Sequence, residues 1–197
     1  MKKNQIKVVL MALVSVVLLN VTSIGTVNAQ FSLGVKVAGN AVNYIKLTER
    51  NFGLETGLFM RLGENFFFQP EVNYVLKSST LKDATEEISS NIHLKQHYVA
   101  VPALLGYHFI NNENFKFRLT IGPRFDFRIA DNFKDSKWKT GAVQWGGQVG
   151  VGFDFWRFAL DFSYCYFADR FSNVETMMSQ YMYQNMFILS LGFKIVK

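Results

Sequence analysis

A chain of 197 residues, 49 % hydrophobic and 18 % charged, holds one domain with one core. Its single cysteine, Cys165, excludes an internal disulfide and a cysteine-based zinc site. The formal charge of +6 is no mark of a nucleic-acid partner: Lys2, Lys3 and Lys7 lie in residues 1–29 with no acid beside them, and the remainder carries only +3.

Residues 1–29 read as a secretory signal peptide. Three lysines precede an apolar run at 8–19, and Val27-Asn28-Ala29-Gln30 places small residues before a cleavage point after Ala29. The run of 12 residues is too short for the ~20 of a bilayer-spanning helix. No cysteine follows it to take a lipid anchor. Export is therefore expected, with residues 30–197 as the mature domain.

From residue 31 onward the dominant period is two, which alternates side chains across a strand. Eight strands are expected, at 31–40, 52–62, 66–77, 97–109, 115–129, 143–155, 158–169 and 187–195. The fifth is the clearest. Phe115, Phe117, Leu119, Ile121, Phe125, Phe127 and Ile129 alternate with Lys116, Arg118, Thr120, Arg124, Asp126 and Arg128. Pro70, Pro102 and Pro123 fall inside strands, where each is expected to mark a bulge or a local break in pairing.

Connections alternate long and short. Long polar ones are expected at 40–51, 78–92, 131–141 and 169–181, and short ones at 63–65, 110–114 and around Trp156. Aromatics gather at the strand ends: Phe66–Phe68, Tyr107, Phe109, Phe115, Phe117 and 153–158 by the short turns, and Tyr74, Tyr98, Tyr164, Tyr166, Tyr181 and Tyr183 toward the long ones. This is the pattern of an all-β, eight-stranded antiparallel up-and-down transmembrane β-barrel with two aromatic girdles.

A soluble barrel would turn its apolar face inward, a membrane barrel outward. The charged face carries Lys36, Arg61, Lys77, Lys116, Arg118, Arg124, Arg128, Arg157 and Lys194 against Glu55, Glu71, Asp126, Asp154, Asp161 and Asp169. These near-balanced charges suit a narrow lumen, whereas three or more Phe, Leu or Ile per strand would overfill it. The apolar face is therefore expected to meet lipid. Glu55, Arg61, Glu71, Arg118, Arg124, Asp126, Arg128, Asp154 and Asp161 form the expected lumen charge network, with Arg124 reaching Glu71 or Glu55.

Catalytic signatures are weak. Gly-Lys-Ser/Thr, His-Glu-x-x-His and Gly-x-Ser-x-Gly are absent. Gly146, Gly147, Gly150 and Gly152 lie within a strand and read as close packing. His93 and His97 near a loop rim and His108 near a short turn could bind a metal but read as scattered rim histidines, and Glu55 with Glu71 reads as salt-bridged among arginines.

Gln69-Pro70-Glu71 with Tyr74, the run Tyr98-Val-Ala-Val-Pro102-Ala-Leu-Leu-Gly-Tyr107, Gly122-Pro123, and Gly150-Val-Gly152 before Leu160-Asp161-Phe-Ser-Tyr164 resemble the PorT-like outer-membrane β-barrel domain family common in Bacteroidetes. Ala100, where members often carry an acid, and the ending Phe193-Lys-Ile-Val-Lys197 depart from it. The resemblance implies a small barrel in the cell outer membrane, with some members tied to protein secretion and gliding. The expected role is non-catalytic, without cofactors or nucleic acid, contacting outer-membrane lipid and any protein partner through the four long loops. Alternatives are an accessory component of a secretion machinery and a lipid-modifying enzyme.

Overall fold

The computed structural model describes residues 31–44, 51–81, 92–131, 138–140, 143–173 and 179–196. Eight long strands follow one another around a closed antiparallel barrel: β1 (Phe31–Tyr44), β2 (Asn51–Gly63), β3 (Phe66–Leu81), β4 (Ile92–Asn111), β5 (Phe115–Asp131), β7 (Val143–Phe155), β8 (Phe158–Asn173) and β9 (Ser179–Val196). The pairing of β1 with β9 closes the ring of the eight long strands. The three-residue β6 (Trp138–Thr140) pairs with Phe171–Asn173 at the end of β8. It falls within the long connection expected at 131–141.

Strands run further toward the long connections than expected. β3 continues to Leu81, and β4 begins at Ile92, with Ser78 opposite Lys95 and Thr80 opposite His93. β8 and β9 likewise pair out to Ser172 and Ser179. Backbone pairing needs no apolar side chain, so the ladder persists where the greasy alternation has stopped.

Alternation decides the two faces. Phe52 (71 % exposed), Leu105, Ile121, Trp145 and Leu189 point outward, whereas Glu55, Arg118, Arg124 and Asp126 are almost wholly buried inside. Rings touch in a belt along the short-turn rim, from Phe66 and Tyr107 (centroids 4.6 Å apart) through Phe109 and Phe117 to Phe153. Toward the other rim, Tyr164 packs on Phe187 at 5.1 Å. Tyr98 is a correction: it points into the lumen and is fully buried. The side chains of Tyr181 and Tyr183 lie outside the described residues.

The prolines mark local breaks in pairing, one of the two outcomes expected, and not bulges. Pairing is interrupted beside Pro70 between β2 and β3, beside Pro102 between β3 and β4, and beside Pro123 between β4 and β5. In each case the register resumes unchanged. The irregularities of the β4–β5 ladder lie elsewhere, at His97/Tyr98 and His108/Ile110. A proline removes one N–H, so one ladder contact is lost, but the partner strand need not slip.

Two of the tight turns need positive φ. Gly63 (122°) adopts it freely, while Trp156 (51°) carries a side chain there at some cost.

Candidate functional site: a layered charge network in the lumen

Inward-facing charged and amide side chains form two joined clusters. In the middle of the lumen, Arg124 on β5 donates from Nη2 to Glu55 Oε2 on β2 at 2.9 Å and from Nε to Asp126 Oδ1 at 2.8 Å. Asp126 Oδ2 also meets Lys77 Nζ at 3.0 Å, and Lys77 donates to Gln144 Oε1 at 2.9 Å. Lys36 on β1 lies 3.6 Å from Glu55 and forms a close ion pair with Glu71. Glu71 takes further hydrogen bonds from Gln69 Nε2 (2.6 Å) and Asn73 Nδ2 (2.9 Å). Three cations face three carboxylates here.

The second cluster sits toward the short turns and centres on Asp154 of β7. Its carboxylate receives Arg61 Nη1 at 2.6 Å, Lys194 Nζ at 2.7 Å and the Arg118 guanidinium, which also pairs with Asp161. Three cations share two carboxylates. Gln69 joins the clusters, accepting from Arg61 Nε at 2.6 Å while donating to Glu71. Isolated charges in such a place would each face a large desolvation cost, and mutual pairing offsets it.

Aromatic rings lie beyond the network at both ends. Phe59 and Phe67 lie 5.2 and 5.5 Å from the Arg61 guanidinium. Toward the long loops, the rings of Tyr98 and Phe167 stand 4.5 and 4.7 Å from Lys77 Nζ. Phe167 then packs with Val42, Cys165, Met186 and Ile188 in an apolar interior cluster. Glycine makes room for this filling: a Cβ at Gly106 would collide with the Phe67 ring, and one at Gly152 with the Arg118 guanidinium. Close packing is thus the use of Gly152, as its place in a strand implied.

Eight of the nine expected network residues come together. The ninth, Arg128, is half-buried and sits opposite Tyr98 in the β4–β5 ladder, nearer the long connections. Arg124 reaches Glu55, and Glu71 turns to Lys36. Arg157 is a second correction. It is exposed in the two-residue turn, its guanidinium 5.5 Å from the Trp156 ring. Glu55 and Glu71 share Lys36. Sequence reasoning missed the amides Gln69, Asn73, Gln144 and Gln148, whose inward parity was their only signal. It also missed the apolar inner layer, because Phe167 breaks the alternation of its strand.

The histidines do not converge. His97 faces outward beside Tyr74, with a close Tyr74 hydroxyl to His97 Nδ1 contact. His108 points inward near the short turns, its Nδ1 2.6 Å from the Glu64 carbonyl. His93 and Asp169 have side chains outside the described residues.

Comparison with known proteins places this geometry. The family model for the outer membrane protein beta-barrel domain matches residues 18–167. The chain belongs to that family. No curated protein matches it. Among solved structures, Neisserial surface protein A is similar at 13 % identity, with a TM-score of 0.50 over 86 % of this chain and 100 % of that one. The outer membrane protein OprG from Pseudomonas aeruginosa is similar at 11 % identity, with a TM-score of 0.52 over 85 % of this chain and 96 % of that one. The outer membrane enzyme PagL is similar at 10 % identity, with a TM-score of 0.52 over 80 % of this chain and 98 % of that one. At such identities the likeness is one of fold. As a member of the outer membrane protein beta-barrel domain family, the chain resides in the outer membrane, and its apolar exterior meets lipid.

Proposed function

We propose that this outer-membrane barrel is non-catalytic, passes no solute through its lumen, and acts through the loops at 40–51, 78–92, 131–141 and 169–181 as an interaction or envelope-structure protein. The observation that carries this reading is the continuous buried network from Asp161 to Lys77, with aromatic rings at either end and Gln69 at the join. Eight-stranded interiors are just wide enough for side chains to fill, and this one is filled. Export would use residues 1–29, so the mature protein should begin at Gln30.

Crosslinking in intact outer membranes, followed by affinity capture and mass spectrometry, tests the role. Enrichment of surface or envelope partners crosslinked through loop residues supports it, and N-terminal peptides from the same sample locate the cleavage. Stoichiometric capture of large secretion components would favour the accessory role implied by the PorT-like motifs.

A second reading, a lipid-modifying enzyme, is favoured by one feature: the Tyr74–His97 pair exposed on the lipid-facing wall. Lipid turnover by purified protein, abolished by His97→Phe, would establish it and displace the non-catalytic reading.

A further inference from the structure

The outer wall carries a groove of about 930 Å³ on the flank formed by β3, β4, β5, β7 and β8, and its lining is almost wholly apolar. Strand register explains its course. One side is a line of outward residues paired from strand to strand: Phe66, Tyr107, Leu119, Val151 and Phe162. The other side is the parallel line two residues further from the short turns, running from Phe68 through Ile121 to Tyr164. Between them the intervening side chains, such as Phe67 and Thr120, turn into the lumen, and backbone forms the floor. Aromatic rings stand at both ends, with Phe66 packed on Tyr107 and Tyr164 on Phe187, whereas the aliphatic residues in the middle are shorter.

The groove has a direction. Phe66 opens β3, whereas Phe162 lies four residues beyond Phe158, where β8 begins. The line therefore climbs from the short-turn rim into the wall. Four strand-to-strand steps of about 4.8 Å make it about 19 Å long, and at a strand tilt near 45° it rises about 14 Å. One leaflet's share of an apolar band of about 25 Å is about 13 Å. The two lines stand about 6.6 Å apart, close to the width at which a single file of methylenes touches both sides at about 3.5–4 Å.

We propose that this groove holds one acyl chain of a phospholipid from the leaflet at the short turns, its carboxyl end beside Phe66 and its methyl end beside Tyr164. The family places the wall in the outer membrane, so the groove continues a surface that already meets lipid. Its rise matches one leaflet and its width one chain. A chain lying in a groove touches protein on three sides, so it exchanges more slowly than one resting on a convex wall.

The test uses the whole barrel refolded into vesicles of phosphatidylethanolamine and phosphatidylglycerol. A trace of phosphatidylcholine carries a photoactivatable diazirine near either the carboxyl or the methyl end of one acyl chain. After irradiation and digestion, mass spectrometry should find Leu119 and Ile121 labelled at least threefold more than Leu189 and Leu191 on β9. The carboxyl-end probe should favour Phe66 and the methyl-end probe Tyr164. Val151→Trp exchanges one apolar side chain on the lipid face for a larger one and blocks the middle of the groove. It should keep heat-modifiable migration on gels but bring the labelling of Leu119 down to the β9 level. Leu189→Trp, outside the groove, should leave that labelling unchanged. Even labelling around the wall overturns the proposal, as does a reversed order of the two probes or an enrichment that survives Val151→Trp. Barrel-to-barrel crosslinks through Leu119 that exclude the lipid probe would make a second copy the occupant and overturn it too.

Discussion

Asp154 is the most heavily used carboxylate in the lumen, holding Arg61, Arg118 and Lys194 at once. Removing one partner of a buried pair typically costs about 3–5 kcal/mol, because the other charge is left behind. Asp154→Asn strands three, so urea unfolding in vesicles should place it at or above that range. Asp161→Asn should cost less, since its side chain is 19 % exposed and its ion pair is with Arg118, which Asp154 also holds. Coupling should follow contact as well. A double-mutant cycle of Arg124→Leu with Glu55→Gln should show an interaction of about 0.5–3 kcal/mol. The cycle of Arg124→Leu with Glu71→Gln should show a smaller interaction, because Arg124 and Glu71 are linked only through Glu55 and Lys36. The inward parity of Glu55, Glu71 and Arg124 was legible in the chain. Which acid Arg124 meets was not, because that depends on where strands distant in sequence arrive across the lumen.

Strand existence and facing were legible for a simple reason: hydrocarbon on one side and a packed lumen on the other impose strict alternation. Phe125 and Arg124 are adjacent in sequence and opposite in fate, 40 % exposed to lipid and fully buried. Phe125→Arg should therefore cost roughly 2–4 kcal/mol near the membrane midplane. Unlike Arg124→Leu, it should not be relieved by any acid substitution in the lumen; unfolding midpoints in vesicles check both. Strand ends were less legible, because beyond the lipid band neither face has to be apolar. The prolines were legible as breaks in the ladder, but a missing N–H does not say whether the register slips, and here it does not. With the register intact on both sides of Pro102, Pro102→Ala has an amide ready to pair across to β3. A regained hydrogen bond is worth about 0.5–1.5 kcal/mol, and lost chain stiffness about 0.4–1 kcal/mol in the other direction. Stability should change by less than about 1 kcal/mol, and hydrogen exchange should show a protected amide at position 102.

For the molecule as a whole, a lumen filled by ion pairs and rings should conduct no ions. Planar-bilayer recordings of the purified protein should stay silent, and regular channel openings from monomer would contradict the filled interior. The protein should also pellet with outer membranes, resist carbonate extraction and migrate differently before and after boiling. Strand lengths carry a further consequence. Twenty residues of β4 span roughly 66 Å along the strand, or about 47 Å of height at a tilt near 45°, against an apolar band of about 25 Å. β2 and β7, with 13 residues each, rise much less. In the ring order, the β3–β4 hairpin and the β8–β9 hairpin lie on opposite sides, with β1 and β2 between them on one flank and β5 and β7 on the other. Among the described residues, the rim at the long connections is therefore uneven: the β3–β4 and β8–β9 ladders reach furthest, while β2 and β7 end lower. Cys165 is buried, so single cysteines report cleanly. A membrane-impermeant maleimide on intact cells should label Ser78→Cys on the β3–β4 ladder and spare Thr56→Cys on the wall. A ligand approaching from outside the cell would meet these two opposed ladders before it reached the ends of β2 and β7.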